Sequence, residues 1–363
     1  MIGKIIQDLV PTQDNNRNSE GSFITLKDGR ILFAYSRYRN CGHNDGAAAD
    51  IYGMISDDRG ETFCEPFCIL TKEKMNADNI MSVSFLRMAN GDIGLFFLTK
   101  RNIIHCLSYL MRSSDEGKTW STPILCSEAE GYFVVNNDRV IRTASGRILI
   151  PAALHASDVT VDINGKQVFK ETHHGVLYIF ASDDDGFTWK TIAKDINMTL
   201  SRGSKKGVQE PGLLQLEDGT VWCYIRNDTG RQYECFSQDD GVNWTTPVPS
   251  AFTSAVSPLS ARRLSDGRIV AIWNPIPLYN GRSERIDGVW TGARTPLVLA
   301  ISTDDGETFS EPIPLETDER SGFCYVAIHQ VDDSLLLAYC AGGVIDGSTL
   351  NRLRIRKLSI REL

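Results

Sequence analysis

The stretch SDDRGETF (Ser56–Phe63) decides how this chain is read, because it returns four times. SSDEGKTW starts at Ser113, SDDDGFTW at Ser182, SQDDGVNW at Ser237 and STDDGETF at Ser302. A Ser and an Asp two residues apart can accept the backbone N–H groups of a tight turn. Gly allows a left-handed backbone, and the closing aromatic packs under the hairpin. So many aspartates also raise the question of calcium. The boxes lack the alternating oxygen ligands ending in Glu, and the flanking helices, of an EF-hand. They read as folding devices and not as metal sites.

A second signal alternates with the first. Turns at Asp28-Gly29, Asn90-Gly91, Ser145-Gly146, Asp218-Gly219, Asp266-Gly267 and Asp333-Ser334 each join two β-rich apolar runs. Asp-Gly and Asn-Gly in that setting mark hairpins. The boxes recur every 55 to 69 residues or so, a period of propellers and arrays. Each unit then reads strand, turn, strand, longer loop, strand, box, strand. Six such units make an all-β, six-bladed β-propeller covering residues 1–363 as a single domain. The last unit has no box, and the N-terminal GKIIQDLV (Gly3–Val10) is expected to supply its missing strand.

Bulk properties narrow the function. The chain of 363 residues is 42% apolar, enough for a sizeable core. Its net charge of −8 argues against a nucleic-acid or anionic-membrane partner. The N-terminus has no signal-peptide pattern, and no apolar run is long enough to span a membrane. Nine cysteines without a CxxC pair suggest reduced thiols. A cytoplasmic protein without metal or cofactor is expected.

Turns and boxes share one end of such a propeller. The other end, where loops meet the central channel, gathers Glu20, Arg37, Asp45, Asn79, Ser82, Asp138, Arg139, His155, Glu210, Arg226, Arg262, Asn274, Arg294 and Tyr325. Carboxylates and arginines at that density point to a site that handles a polar ligand such as a carbohydrate.

With these residues in place, the chain resembles the sialidase (neuraminidase) superfamily over nearly its whole length. The boxes resemble the Asp boxes of that superfamily, and four further segments resemble its exo-α-sialidases. The resemblance implies a retaining exo-glycosidase that removes a terminal sialic acid or related acidic sugar. It assigns the acid/base to Asp45 in HNDGAAADIYGMIS. Glu210 in QEPGLLQLEDGTVWCYIR is the partner of the nucleophile Tyr325 in GFCYVAIHQVDD. By the same resemblance Arg226, and Arg294 in GARTPLVLAISTDDG, hold the substrate carboxylate; Arg37, Glu20, Arg139, His155 and Asn274 are further substrate-binding candidates. Two positions depart from the family. Glu20 stands where an arginine of the carboxylate clamp is expected, with Arg17 three residues earlier, and Ser82 lies near an expected aspartate.

The chemistry explains the residue types. A 2-keto acid sugar carries a carboxylate beside its anomeric carbon and would repel a carboxylate nucleophile. A tyrosine assisted by Glu avoids that repulsion. Two arginines hold a carboxylate bidentately. Two alternatives stay open. One is a glycosidase of the same fold acting on another sugar with Glu20, Asp45 and Glu210. The other is a carbohydrate-binding propeller without catalysis.

Overall fold

A run such as ILFAY (Ile31–Tyr35) is apolar on both faces of a strand, so it has to be covered from both sides. Stacking four-stranded blades around an axis does this. In the computed structural model Ile31, Phe33 and Ala34 are wholly buried. The structure describes residues 2–39, 44–102, 104–161, 167–199, 203–279 and 282–363, without side chains for 156–173. It is a six-bladed propeller, nearly all β, with three short 3-10 turns among the described residues.

The inner strands of blades 1, 2, 4, 5 and 6 are Arg17–Thr25, Asn79–Arg87, Gln209–Gln215, Ser260–Arg263 and Cys324–Val331. Blade 3 is different: its inner edge is split into Phe133–Val134 and Ile141–Arg142, both paired with Ile148–Val161. A two-stranded finger, Arg285–Ile286 with Val289–Trp290, projects from blade 5. Blade 6 takes its outer strand from the N-terminus. Lys4–Leu9 pairs antiparallel with Leu353–Ser359, so the two ends of the chain close the ring. Each interface between neighbouring blades holds its own apolar cluster.

The boxes repeat one hydrogen-bond pattern. In the first, Ser56 Oγ donates to Asp58 Oδ1 at 2.8 Å and accepts from Gly60 N at 2.7 Å. Asp58 Oδ1 also accepts from Thr62 N at 2.9 Å, and Oδ2 from Thr62 Oγ1 at 2.6 Å. The same set recurs around Asp115, Asp184, Asp239 and Asp304, with Asn243 in place of Thr in the fourth. Each carboxylate is therefore committed to its own turn. Gly60 shows why the glycine is needed: its φ is +83°, and a Cβ would meet the Leu336 side chain of blade 6 at 2.6 Å.

The residue before the glycine also adopts positive φ and ties blades together. Glu116 accepts from Lys27 N, Asp185 from Ala89 N and Asp305 from Glu217 N. The boxes thus stabilise hairpins and clip each blade to its neighbour.

This pattern sets an acid limit. Hydrogen bonds, that of the box threonine hydroxyl first, hold Asp58, Asp115 and Asp304 at about 2, below the ordinary aspartate value. A carboxylate depressed in the folded state stabilises the fold above its unfolded pKa. It loses that contribution as pH falls through the folded one. The melting temperature should therefore hold down to about pH 4 and drop steeply between about 4 and 2. Calorimetry across that range checks it, and Asp115→Asn should flatten part of the slope.

Candidate active site

The site is built by one local device used in several blades. Between Ser19 and Ser22, Met81 and Ser84, Gln209 and Gly212, and Cys324 and Ala327, the inner strand carries a β-bulge. The bulged residues Glu20, Ser82, Glu210 and Tyr325 take φ of 58°, 58°, 39° and 61°. A bulge re-aims a side chain, and a non-glycine residue in that region costs about 1–3 kcal/mol. Here all four side chains turn into one cavity of about 630 Å³ at the loop end of the channel.

Tyr325 and Glu210, from blades 6 and 4, meet there. The Tyr325 hydroxyl donates to Glu210 Oε1 at 2.9 Å, and Glu210 Oε2 lies 2.8 Å from Arg226 Nη1. Burial pushes the Glu210 carboxyl up, but Arg226 and Arg294 outweigh it and keep the group below the usual carboxylate range. Burial and the Glu210 charge push the Tyr325 phenol well above its ordinary value. The resting pair is a neutral phenol on a carboxylate: the glutamate can take the proton as the oxygen attacks, without a standing phenoxide.

Cations flank this pair. Arg294 is 2% exposed and sits over the faces of Trp290 and Tyr325, at 4.9 and 5.4 Å from the ring centres. Cys324 Sγ and the Val256 carbonyl accept its Nη groups. The buried Nε atoms of Arg226 and Arg294 have no hydrogen-bond partner among the described residues. Lys206 lines the cavity as well, and burial, with the charges of Arg226 and Arg294, pulls its ammonium below the ordinary lysine value. Three cations thus face one carboxylate on this wall.

A second part of the cavity holds two carboxyl groups. Arg17 is fully buried and divides its guanidinium between Asp45 Oδ1, 2.7 Å from Nη1, and Glu20 Oε1, 3.1 Å from Nη2. Ser82 Oγ donates to Glu20 Oε2 at 3.1 Å, and Lys100 Nζ donates to the Asp45 carbonyl at 2.9 Å. Two carboxyl groups share these two cations. Asp45 keeps 60% of its side chain exposed. Its partial burial raises the carboxyl, but Arg17 and then Lys100 outweigh it and hold the group well below the usual range.

Residues 42–337 match the family described as BNR repeat-like domain. The chain belongs to this family. A sialidase of Bacteroides fragilis (strain YCH46) is 22% identical over 261 residues, which cover 70% of this chain and 42% of that protein. The chain thus spans less than half the length of this curated relative. A Dyadobacter fermentans protein of unknown function superposes with a TM-score of 0.73 at 17% identity, over 98% of this chain and 99% of that one. The NanB sialidase of Streptococcus pneumoniae superposes with a TM-score of 0.71 at 12% identity, over 100% and 71%. The fold of this BNR repeat-like chain is that of the sialidase-superfamily propellers.

Of the residues expected at the site, Glu20, Asp45, Ser82, His155, Glu210, Arg226, Arg294 and Tyr325 line the cavity of this BNR repeat-like propeller. Arg37, Asn79, Asp138, Arg139, Arg262 and Asn274 do not. Strand register explains Arg37. Arg226 pairs with Gln209, just before the bulge; the matching residue in blade 1 is Ser36, paired with Ser19. Arg37 lies one residue further, so it points to the other face and stacks on Tyr52 at 4.6 Å. Arg139 is buried, donating from Nη1 to Tyr224 Oη at 3.0 Å and from Nη2 to the Leu259 carbonyl at 2.7 Å. Asn274 donates from Nδ2 to the carbonyls of Arg294 and Pro296, both at 3.0 Å, and so fixes the backbone that carries Arg294.

Lys100, Lys206 and Trp290 line the cavity without having been expected there. Lys100 was within reach of parity: it pairs with Asn79 two residues beyond the Met81–Leu98 pair and shares that face. Lys206 and Trp290 come from a loop and from the blade 5 finger, where the strand pattern is silent.

Arg139 and the substrate wall can be separated by mutation. Arg139→Ala takes away the guanidinium bond to the buried Leu259 carbonyl and one of the two bonds that the Tyr224 hydroxyl accepts, at about 1–3 kcal/mol each for bonds to a charged group. It should lower the unfolding free energy by about 2–5 kcal/mol, measured by denaturant titration. Arg294→Ala should change stability less and ligand affinity more.

Proposed function

We propose that this protein is a retaining exo-glycosidase that cleaves a terminal sugar bearing a carboxylate next to its anomeric carbon, a sialic acid or a close relative. The observation that carries this reading is the 2.9 Å hydrogen bond from Tyr325 Oη to Glu210 Oε1, beside a wall with excess positive charge. A sugar carboxylate placed against Arg226, Arg294 and Lys206 brings the anomeric carbon near the phenol. Tyr325 attacks, Glu210 takes its proton, and the glycosyl group is carried on the tyrosine until water releases it. The departing oxygen receives its proton from a carboxyl group in the same cavity.

Glu20 does not oppose an anionic substrate, since its carboxyl is partnered by Arg17 and Ser82. Arg17, for its part, is committed to Asp45 and Glu20, so Lys206 takes the place of the third clamp cation. The similarity to sialidases of Bacteroides fragilis and Streptococcus pneumoniae agrees with this reading at the level of fold and superfamily.

Turnover of an aryl sialoside tests the reading, and an aryl glycoside of a neutral sugar serves as the comparison. The acidic substrate should be cleaved and the neutral one spared; the reverse result rejects the carboxylate clamp. Tyr325→Phe should lower kcat at least about 1,000-fold while substrate binding stays within a few-fold, because the ring remains and only the attacking oxygen is lost. Arg294→Ala should weaken binding of the acidic sugar by about 10- to 150-fold, the loss of one charge-assisted contact of about 1.5–3 kcal/mol.

A further inference from the structure

We propose that Glu20, and not Asp45, is the carboxyl group that protonates the leaving oxygen and then deprotonates water. This assignment rests on the glycosidase reading above and names the acid/base of that same site.

A general acid has to hold a proton when the substrate arrives. Asp45 is poorly placed for that, with Oδ1 on Arg17 at the shorter distance of 2.7 Å and Lys100 on its own carbonyl. Glu20 shares the same guanidinium at 3.1 Å. Two carboxyl groups on one arginine are pushed apart in proton affinity, and the one deeper in the protein keeps the proton. Glu20 is that one, at 3% exposed. The groups facing it are Arg17, Asp45, Lys100 and Ser82, with the Tyr38 phenol and the Cys340 thiol also within its reach. Burial raises its carboxyl to about 7 against the opposing pull of Arg17.

Position agrees with this. Glu20, Glu210 and Tyr325 occupy the same bulged position of their inner strands, with φ of 58°, 39° and 61°. Blade 1 adjoins blade 6 and faces blade 4 across the axis. The three side chains therefore enter the cavity from three sides.

The steps balance. As Tyr325 Oη bonds the anomeric carbon, its proton passes to Glu210. The glycosidic C–O bond breaks with its electron pair on the departing oxygen, which takes the proton of Glu20. In the second half Glu20, now a carboxylate, takes a proton from water as the water oxygen bonds the anomeric carbon. The C–O bond to Tyr325 breaks, and Glu210 returns its proton to the phenol oxygen.

The test compares wild type, Glu20→Gln, Asp45→Asn and Ser82→Ala on a nitrophenyl and a phenyl glycoside of sialic acid. Wild-type kcat should fall as pH rises through about 7, where the acid loses its proton. Glu20→Gln should abolish that limb. It should cost at least about 100-fold on the poor phenyl leaving group and far less on nitrophenyl, with azide restoring turnover as a glycosyl azide. Asp45→Asn should keep the limb. Ser82→Ala, which removes a hydrogen bond favouring the charged form of Glu20, should move the limb to higher pH. It reports on Glu20 even if Glu20→Gln does not fold. Wild-type turnover with the limb intact in Glu20→Gln, lost in Asp45→Asn or unmoved in Ser82→Ala, overturns this assignment alone. No wild-type turnover of either sialoside overturns the glycosidase reading, and the assignment with it.

Discussion

The site depends on one segment that crosses the axis. Blade 3 breaks its inner strand after Val134 and sends Asn136–Arg139 into the channel. Asn137 Nδ2 donates to the Gly21 carbonyl at 2.7 Å and to the Tyr325 carbonyl at 3.3 Å. Asp138, itself at φ 57°, accepts from Ser22 Oγ, Arg262 Nη2 and Ile328 N. Arg139 reaches Tyr224 and the Leu259 carbonyl. Residues 137–139 thus bond blades 1, 4, 5 and 6 at the axis. The bonds fall on or next to the bulges of Glu20 and Tyr325. Left-handed backbone at a non-glycine residue persists only where its surroundings over-determine it, and this segment supplies that constraint.

Charge is the second organising feature. Arg226, Arg294 and Lys206 with Glu210 line one part of the cavity, and Lys100, Glu20 and Asp45 another, with Arg17 buried behind the two carboxyl groups. The first attracts an anion. In the second a buried arginine lies between the two carboxyl groups. A buried cation with two carboxylates holds one ionised and leaves the other free to exchange a proton.

Much of this was legible in the sequence, and the rest fails for stated reasons. The boxes and turns report local backbone chemistry, which is why six four-stranded blades follow from Ser56, Gly60 and their repeats. Tyr325, Glu210 and Arg226 were legible because they sit at strand ends in a repeated unit. Arg37 was not, because it stands one residue beyond the position that matches Arg226, and one step along a strand turns a side chain to the opposite face. Arg139 and Asp138 look like ligand-binding residues by type. They serve instead as axial staples, a role visible only when six blades are brought together. Lys206 and Trp290 belong to connections whose path no periodicity describes.

The same constraint explains where the strain sits. Each left-handed bulge opposes folding by an amount similar to a single well-formed buried contact. A domain only marginally stable tolerates few of these unless other terms offset them. The boxes are such a term: five turns with satisfied carboxylates, on the end of the propeller away from the cavity. The N-terminal strand is another, since pairing Lys4–Leu9 with Leu353–Ser359 completes the blade that carries Tyr325. Stability gathers at one end and around the rim, and the strained, charged residues gather at the other. The propeller separates the two along its axis, which lets the bulged residues face a polar cavity without carrying the fold.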